Sequence, residues 1–377
     1  MKIIVDENII YGQEAFSLFG EVVLMNGRNI SGEAIKDADA LIVRSITPVG
    51  EKLLDNSKVK FVGTATIGTD HINLEYLKSR GIAFSSAKGC NSYAVVEYVM
   101  SAISLLFHQK RSKFNQNILG IVGVGNIGSK VAMLGGALGF KVLRNDPPLQ
   151  RESDSNIYCS LDEIFESDVI TLHVPLNKSG IDRTFHLLNK DNLGKIKNDA
   201  VLINTSRGPV INNADLKEKL KQQKDFISVL DVWENEPNID HELLELVKIG
   251  TAHIAGYSYE GKLNGTRMIY EALCRHLNVA PEWEPPVLSL PNNELEINEN
   301  CSGEDNLYNI FSKSYPIDKD DHQLRNILKQ KDGNAHFYFD LIRKNYSPRR
   351  ELVNYKIKNK ITDDNWLRVL KILRINY

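Results

Sequence analysis

The run Ile118-Leu-Gly-Ile-Val-Gly-Val-Gly-Asn-Ile-Gly128 decides how this chain folds. Ile118–Val122 has the apolar, β-branched character of a buried strand. Gly123, Gly125 and Gly128 follow at once, and the pattern after them reads as a helix through Leu134. Strand, glycine-rich turn and helix in direct succession open a dinucleotide-binding unit. In such a turn Gly123 permits the tight bend, Gly125 lets a pyrophosphate approach the backbone, and Gly128 lets helix and strand pack closely. Asn126 and Ile127 complete the turn. The helix N-terminus adds free N–H groups and a partial positive charge. The next strand, Lys141-Val-Leu-Arg-Asn-Asp146, ends on an acid 18 positions after Gly128. The Asp146 carboxylate would accept hydrogen bonds from the adenosine ribose and repel a 2′-phosphate, which selects NAD over NADP. Arg144 beside it softens that choice.

Outward from this turn the pattern repeats. Val169–Leu172, Val201–Ile203, Ile227–Leu230 and Ile249–Ala252 read as further strands with helical segments between most of them, as a doubly wound parallel sheet requires. Upstream, Ile3–Val5, Leu41–Val43 and Phe61–Val62 are strand-like and Asn73–Lys78 lies on a helix, suggesting a smaller open α/β sheet. Tyr93–Phe107 is apolar on most faces and reads as a helix packed between layers. After about Gly256 a helix over Asn264–Leu277 is followed by Pro281, Pro285, Pro286 and Pro291, which mark a linker into a last segment of mixed character. The expected division is a substrate domain of residues 1–92 with 258–285, an NAD-binding domain of 93–257, and a separate C-terminal domain of 286–377.

A chain of 377 residues exceeds one ordinary core, and its 42% hydrophobic and 25% charged residues are globular values. No apolar run is long enough to span a bilayer. Met-Lys-Ile-Ile-Val-Asp6 reads as a first strand and not as a signal peptide. Cys90, Cys159, Cys274 and Cys301 lack paired metal or disulfide spacing, so no metal site is expected and a reducing cytoplasm fits best. The net charge of −2 argues against attraction to nucleic acid. From Leu341 to Tyr377, however, ten Lys or Arg stand against three Asp or Glu. With no nucleic-acid motif beside it, this excess reads as a solvated or subunit-facing surface.

Ligands of open parallel sheets bind beyond the carboxyl ends of the strands. There the apolar runs give way to His173, to Asn204-Thr205-Ser206-Arg207-Gly208, to Asp231 and to His253. A guanidinium such as Arg207 grips a carboxylate through two parallel hydrogen bonds. A histidine serves as base and then acid near neutrality, best when a carboxylate fixes its tautomer. By position His173 competes with His253, which is favoured because Gly256 nearby allows close cofactor approach. Glu234 and Glu236 compete on equal terms as the orienting carboxylate. Trp233 reads as core or interface.

The glycine turn, Asn204-Thr-Ser-Arg207-Gly-Pro, Asp231-Val-Trp-Glu-Asn-Glu236-Pro and His253-Ile-Ala-Gly256 together resemble the ordered signatures of the D-isomer-specific 2-hydroxyacid dehydrogenases. The resemblance implies that Arg207 binds the substrate carboxylate, that Glu236 pairs with the histidine, and that His253 is the acid/base. Val5-Asp-Glu-Asn8, Val43-Arg44-Ser45, Phe61–His71, Lys88-Gly-Cys90-Asn91 and Phe339–Tyr346 are similar to a branch of that family acting on a phosphorylated four-carbon hydroxy acid. By that similarity Ser45, Thr66 and Tyr257 contact substrate, and Val174, the backbone of Thr205, Ser206 and Arg207, Asp231 and Gly256 contact NAD. Val174 stands where the family pattern has Thr, so only a backbone contact survives there. The same resemblance implies a flavodoxin-like substrate domain and a homodimer built through an α+β tail. The rival expectations are a dehydrogenase for another acid such as 3-phosphoglycerate, and an NAD-sensing protein like the related corepressors.

Overall fold

Two runs of alternating strands and helices build two separate parallel sheets. A computed structural model describes residues 1–153, 155–326, 335–347 and 349–377. The first sheet contains β1 (Lys2–Asp6), β2 (Glu21–Met25), β3 (Ala40–Val43), β4 (Phe61–Thr64) and β5 (Ala83–Ser86), in the order β2-β1-β3-β4-β5. Every pairing is parallel. The chain adds β2 on one side of β1 and then crosses to β3 on the other, so the winding reverses between β1 and β3. That reversal opens a crevice at the carboxyl ends of the strands. Ser45 lies two residues beyond β3, and Thr66 two residues beyond β4.

The second sheet contains β6 (Ile118–Val122), β7 (Lys141–Asn145), β8 (Val169–Leu172), β9 (Val201–Asn204), β10 (Ile227–Leu230) and β11 (Ile249–Gly250), in the order β11-β10-β9-β8-β6-β7. Its winding reverses between β6 and β8, and the glycine turn stands at that point. β8 and β9 are buried along their whole length, as strands covered by helices on both faces must be.

The chain divides into two compact units, Met1–Asn91 with Ser258–Ser289 and Ser92–Tyr257 with Leu290–Tyr377. Residues 290–377, expected as a domain of their own, lie within the second unit. The reason is the helix Ser92–Lys110, which is buried along most of its length. The second sheet does not cover all of it. The helix Gly303–Ser314 packs along it and joins it in one core through Leu307, Ile310 and Phe311. The helix Asp364–Leu373 packs on Gly128–Leu138, the helix that the glycine turn opens. Asp321 caps the short edge strand β11 by accepting the Gly250 amide at 2.7 Å. A small parallel pair, β12 (Glu294–Leu295) and β13 (Lys356–Ile357), completes the segment.

Other differences are local. β2 and β5 are edge strands missed in the sequence: β2 carries the apolar run Val22–Met25 but is only half-buried, and β5 ends Ser-Ser. The helix expected from Asn264 begins at Tyr259, because the Ser258 hydroxyl caps the Gly261 amide at 2.8 Å. Among the described residues no helix is long and apolar enough to cross a membrane.

Candidate active site

The loops after β6, β8, β9 and β10, with the loop after β11, supply the polar groups of the second unit. Gly123 sits at φ 87°, where a side chain is strained, and a Cβ there would lie 2.7 Å from the His173 carbonyl carbon. Gly125 faces open space: nothing lies within 4 Å of the position its Cβ would take. Asn126 beside it is exposed, and Ile127 leads into the helix Gly128–Leu138. Asp146 accepts the Val124 amide at 2.7 Å and the Leu149 amide at 3.1 Å, which fixes its carboxylate against the turn. An open glycine, a helix N-terminus and a held carboxylate fit an NAD pyrophosphate and ribose. The Val174 side chain packs on Gly123, so its main chain alone is left for a ligand.

Asn204 organises the next loop. Its Oδ1 accepts the Ser206 amide at 3.0 Å and the Ser206 hydroxyl at 2.7 Å, while its Nδ2 donates to the Arg207 carbonyl at 3.0 Å. The Thr205 hydroxyl meets His173 Nδ1 at 3.4 Å. The half-buried Arg207 side chain donates to the Ser206 carbonyl at 2.7 Å. Gly208 is required by close approach: a Cβ would lie 1.9 Å from the Trp233 carbonyl oxygen. The Arg207 loop and the 231–237 loop are therefore backbone neighbours.

In that second loop the two acidic candidates take different partners. Glu234 accepts from His186 Nε2 at 2.7 Å and from the Asn213 amide at 2.8 Å. Glu236 Oε2 lies 2.7 Å from His253 Nδ1, and its Oε1 accepts the Trp233 amide at 2.8 Å. Burial pushes the Glu236 carboxyl up. The His253 imidazole, its hydrogen bond, the Trp233 amide and the Arg343 guanidinium outweigh burial and hold it below the usual carboxylate range. Trp233 itself is core, with Nε1 on the Thr251 carbonyl at 2.9 Å.

His253 has φ 55°, a left-handed conformation uncommon for any residue with a side chain. Asp231 maintains it. The His253 amide donates to the Asp231 carbonyl at 2.7 Å, and the buried Asp231 carboxylate accepts from the Thr251 hydroxyl, the Ile254 amide and the Ala255 amide at 2.7, 2.7 and 3.0 Å. The Asp231 side chain, expected at the cofactor, also anchors the loop that carries His253. His173 differs in kind: burial drives its imidazole down to about 3, and it sits 3.0 Å from the Thr171 hydroxyl. A half-buried ring held neutral in this way is a poor proton acceptor.

Two further side chains reach this loop from the C-terminal segment, and reading the basic tail as a solvated or subunit-facing surface overlooks both. Arg349 is buried, donates to the Ala255 carbonyl at 2.7 Å and the Ala94 carbonyl at 3.0 Å, and lies over the Tyr315 ring at 3.9 Å. Arg343 donates to the Tyr257 hydroxyl at 3.1 Å. The signal for Arg343 was its place in Phe339–Tyr346. In the first unit, Ser45 is exposed at the end of β3. The Thr66 hydroxyl lies 2.8 Å from that of Thr64, which in turn lies 3.1 Å from His71 Nε2.

Residues 106–255 match the profile "D-isomer specific 2-hydroxyacid dehydrogenase, NAD binding domain", and residues 288–371 match "Domain of unknown function (DUF3410)". The chain is 42% identical over 365 residues to the erythronate-4-phosphate dehydrogenase of Pseudomonas fluorescens, covering 95% of each. It is 41% identical to that of Hahella chejuensis, covering 100% of this chain and 99% of the relative. Among solved structures it is similar to the NAD-bound 3-phosphoglycerate dehydrogenase of Entamoeba histolytica, with a TM-score of 0.63 and 25% identity over 74% of this chain and 95% of that one. It is also similar to a D-lactate dehydrogenase of Aquifex aeolicus solved with NAD and lactic acid, with a TM-score of 0.59 and 26% identity over 74% and 96%. The chain belongs to the D-isomer specific 2-hydroxyacid dehydrogenase family, in the branch of the erythronate-4-phosphate dehydrogenases.

Proposed function

We propose that this chain oxidises 4-phospho-D-erythronate at C2 to (R)-3-hydroxy-2-oxo-4-phosphooxybutanoate, with NAD as acceptor, in the synthesis of pyridoxal 5′-phosphate. The observation that carries the chemistry is the 2.7 Å pair of His253 Nδ1 and Glu236 Oε2 on loops beside Arg207. With Nδ1–H donated to the carboxylate, Nε2 holds the lone pair and takes the C2 hydroxyl proton. Glu236 steadies the cation that His253 becomes. Arg207 orients the substrate carboxylate by a bidentate grip. NAD, when bound, accepts the hydrogen and electron pair leaving C2. Gly123, Gly125 and Gly128, with the Asn126–Ile127 turn and Asp146, hold it, and Val174, Thr205, Ser206, the Arg207 backbone, Asp231 and Gly256 line the same edge. Ser45, Thr66 and Tyr257 contact the substrate, and the enzyme works as a homodimer.

The test is a panel of 4-phosphoerythronate, erythronate, 3-phosphoglycerate and lactate with NAD, following NADH absorbance. The expected result is turnover strongest with 4-phosphoerythronate. Faster turnover of 3-phosphoglycerate would overturn the substrate while leaving the family intact.

A further inference from the structure

Arg343 stands where a structural arginine would normally be fully paired, and it is not. It lies on the helix Ala335–Lys344, with its side chain 19% exposed. Its Nη2 donates to the Tyr257 hydroxyl at 3.1 Å, and its guanidinium carbon lies 5.7 Å from the centre of that ring. The nearest carboxylate, Asp340, is 3.9 Å from Nη1, at the outer limit of an ion pair. The buried Nε–H meets no acceptor among the described residues. Tyr257 belongs to the loop of His253, since its amide donates to the Ile254 carbonyl at 2.8 Å. Arg343 is also close enough to Glu236 to help keep that carboxylate ionised.

A charged donor buried without an acceptor is costly, and it persists where a ligand supplies the acceptor. The substrate read above has two anionic ends. Arg207 serves the carboxylate, whereas Ser45 and Thr66 offer neutral hydroxyls to a phosphate of nearly two negative charges, and the half-buried Arg44 adjoins Ser45 on a strand end where successive side chains point to opposite faces. Beside the His253 loop, Arg343 supplies a cation whose planar fork includes an unpartnered Nε–H, the geometry that matches phosphate oxygens. We propose that Arg343, from the segment of otherwise unassigned function, receives the substrate phosphate and sets the preference for a phosphorylated acid. This rests on the substrate reading above.

The experiment measures kcat and KM of the parent, Arg343→Gln and Arg343→Lys with 4-phosphoerythronate and with erythronate, at saturating NAD. Each variant's affinity for NAD is titrated to establish that the second unit is folded. Arg343→Gln should raise KM for the phosphorylated acid roughly ten- to a hundredfold, the range for a lost charge-assisted contact, and by far more than it changes KM for erythronate, while any effect through Glu236 falls on kcat with both acids alike. Arg343→Lys should fall between, keeping the charge and losing the fork; if Arg343→Gln does not fold, Arg343→Lys gives the decisive comparison. Equal rises in KM on both acids would reduce Arg343 to a prop for Tyr257 and overturn the proposal. So would a variant that keeps the parent's preference. A parent that ignores the phosphate would instead overturn the substrate reading itself.

Discussion

At His253 the chain accepts an unfavourable backbone conformation and then constrains it from several sides. A left-handed φ costs a non-glycine residue on the order of 1 kcal/mol or more, and four hydrogen bonds to Asp231 outweigh that cost. The strain is local to a residue argued to do chemistry, and the rotation aims Nδ1 at Glu236. This predicts a sharp contrast between the two candidate histidines. His253→Ala should lose roughly two to four powers of ten in kcat while binding NAD as before, because a positioned base is worth about that much. His173→Ala should retain most turnover, since burial keeps that ring from accepting a proton at working pH. Steady-state rates beside an NAD titration decide it, and loss of turnover in His173→Ala alone would reverse the assignment. Strand position could not separate these histidines, nor composition Glu234 from Glu236. The difference lies in which loop each carboxylate faces, and that is tertiary information.

At the scale of elements, the strands of the second sheet were legible because buried parallel strands are short, continuous apolar runs bounded by polar residues. The edge strand β5 was not, because its run breaks off at Ser85-Ser86, whereas the apolar run Val22–Met25 of β2 was there to be read. The basic excess of the tail is surface for most of its residues, Lys344, Lys356, Lys358, Lys360, Arg368 and Lys371 being exposed, but Arg349 is buried against main-chain carbonyls and the Tyr315 ring. Lysine and arginine counts do not reveal which guanidiniums are buried. The helix Ser92–Lys110 carried the missing hint, being too apolar to be covered on one side alone. Leu307, Ile310, Phe311, Trp366 and Leu370 complete its core. At about 1.5–3 kcal/mol for each large side chain, their loss approaches the whole stability of a domain. Truncation before Leu290 should therefore yield an aggregating, unfolded product and not an active two-domain core. A soluble truncated protein with parent-like NAD affinity would contradict this packing account.

Across the whole molecule, the buried polar groups of the second unit make stability depend on pH. Burial, and then the facing Glu351 carboxylate, push Glu97 up to about 8. Its folded value is raised, so between about pH 4.5 and pH 8 the unfolded chain loses a proton that the folded chain keeps. The contribution is present below that window, falls as pH rises through it, and is gone above it. Glu97→Gln removes this titration while keeping an acceptor for the Leu352 amide, so its melting temperature should fall less steeply than the parent's over that window. Parallel melting profiles would contradict the burial argument. The central claim concerns one bond: the hydrogen on C2 of the phosphorylated acid leaves for NAD while His253 takes the hydroxyl proton. Mass spectrometry of NADH formed from 4-phosphoerythronate deuterated at C2 tests it directly. The account predicts one deuterium per NADH with the parent and no detectable product with His253→Ala on the same timescale. NADH free of deuterium, or a labelled product from His253→Ala at the parent rate, would contradict it.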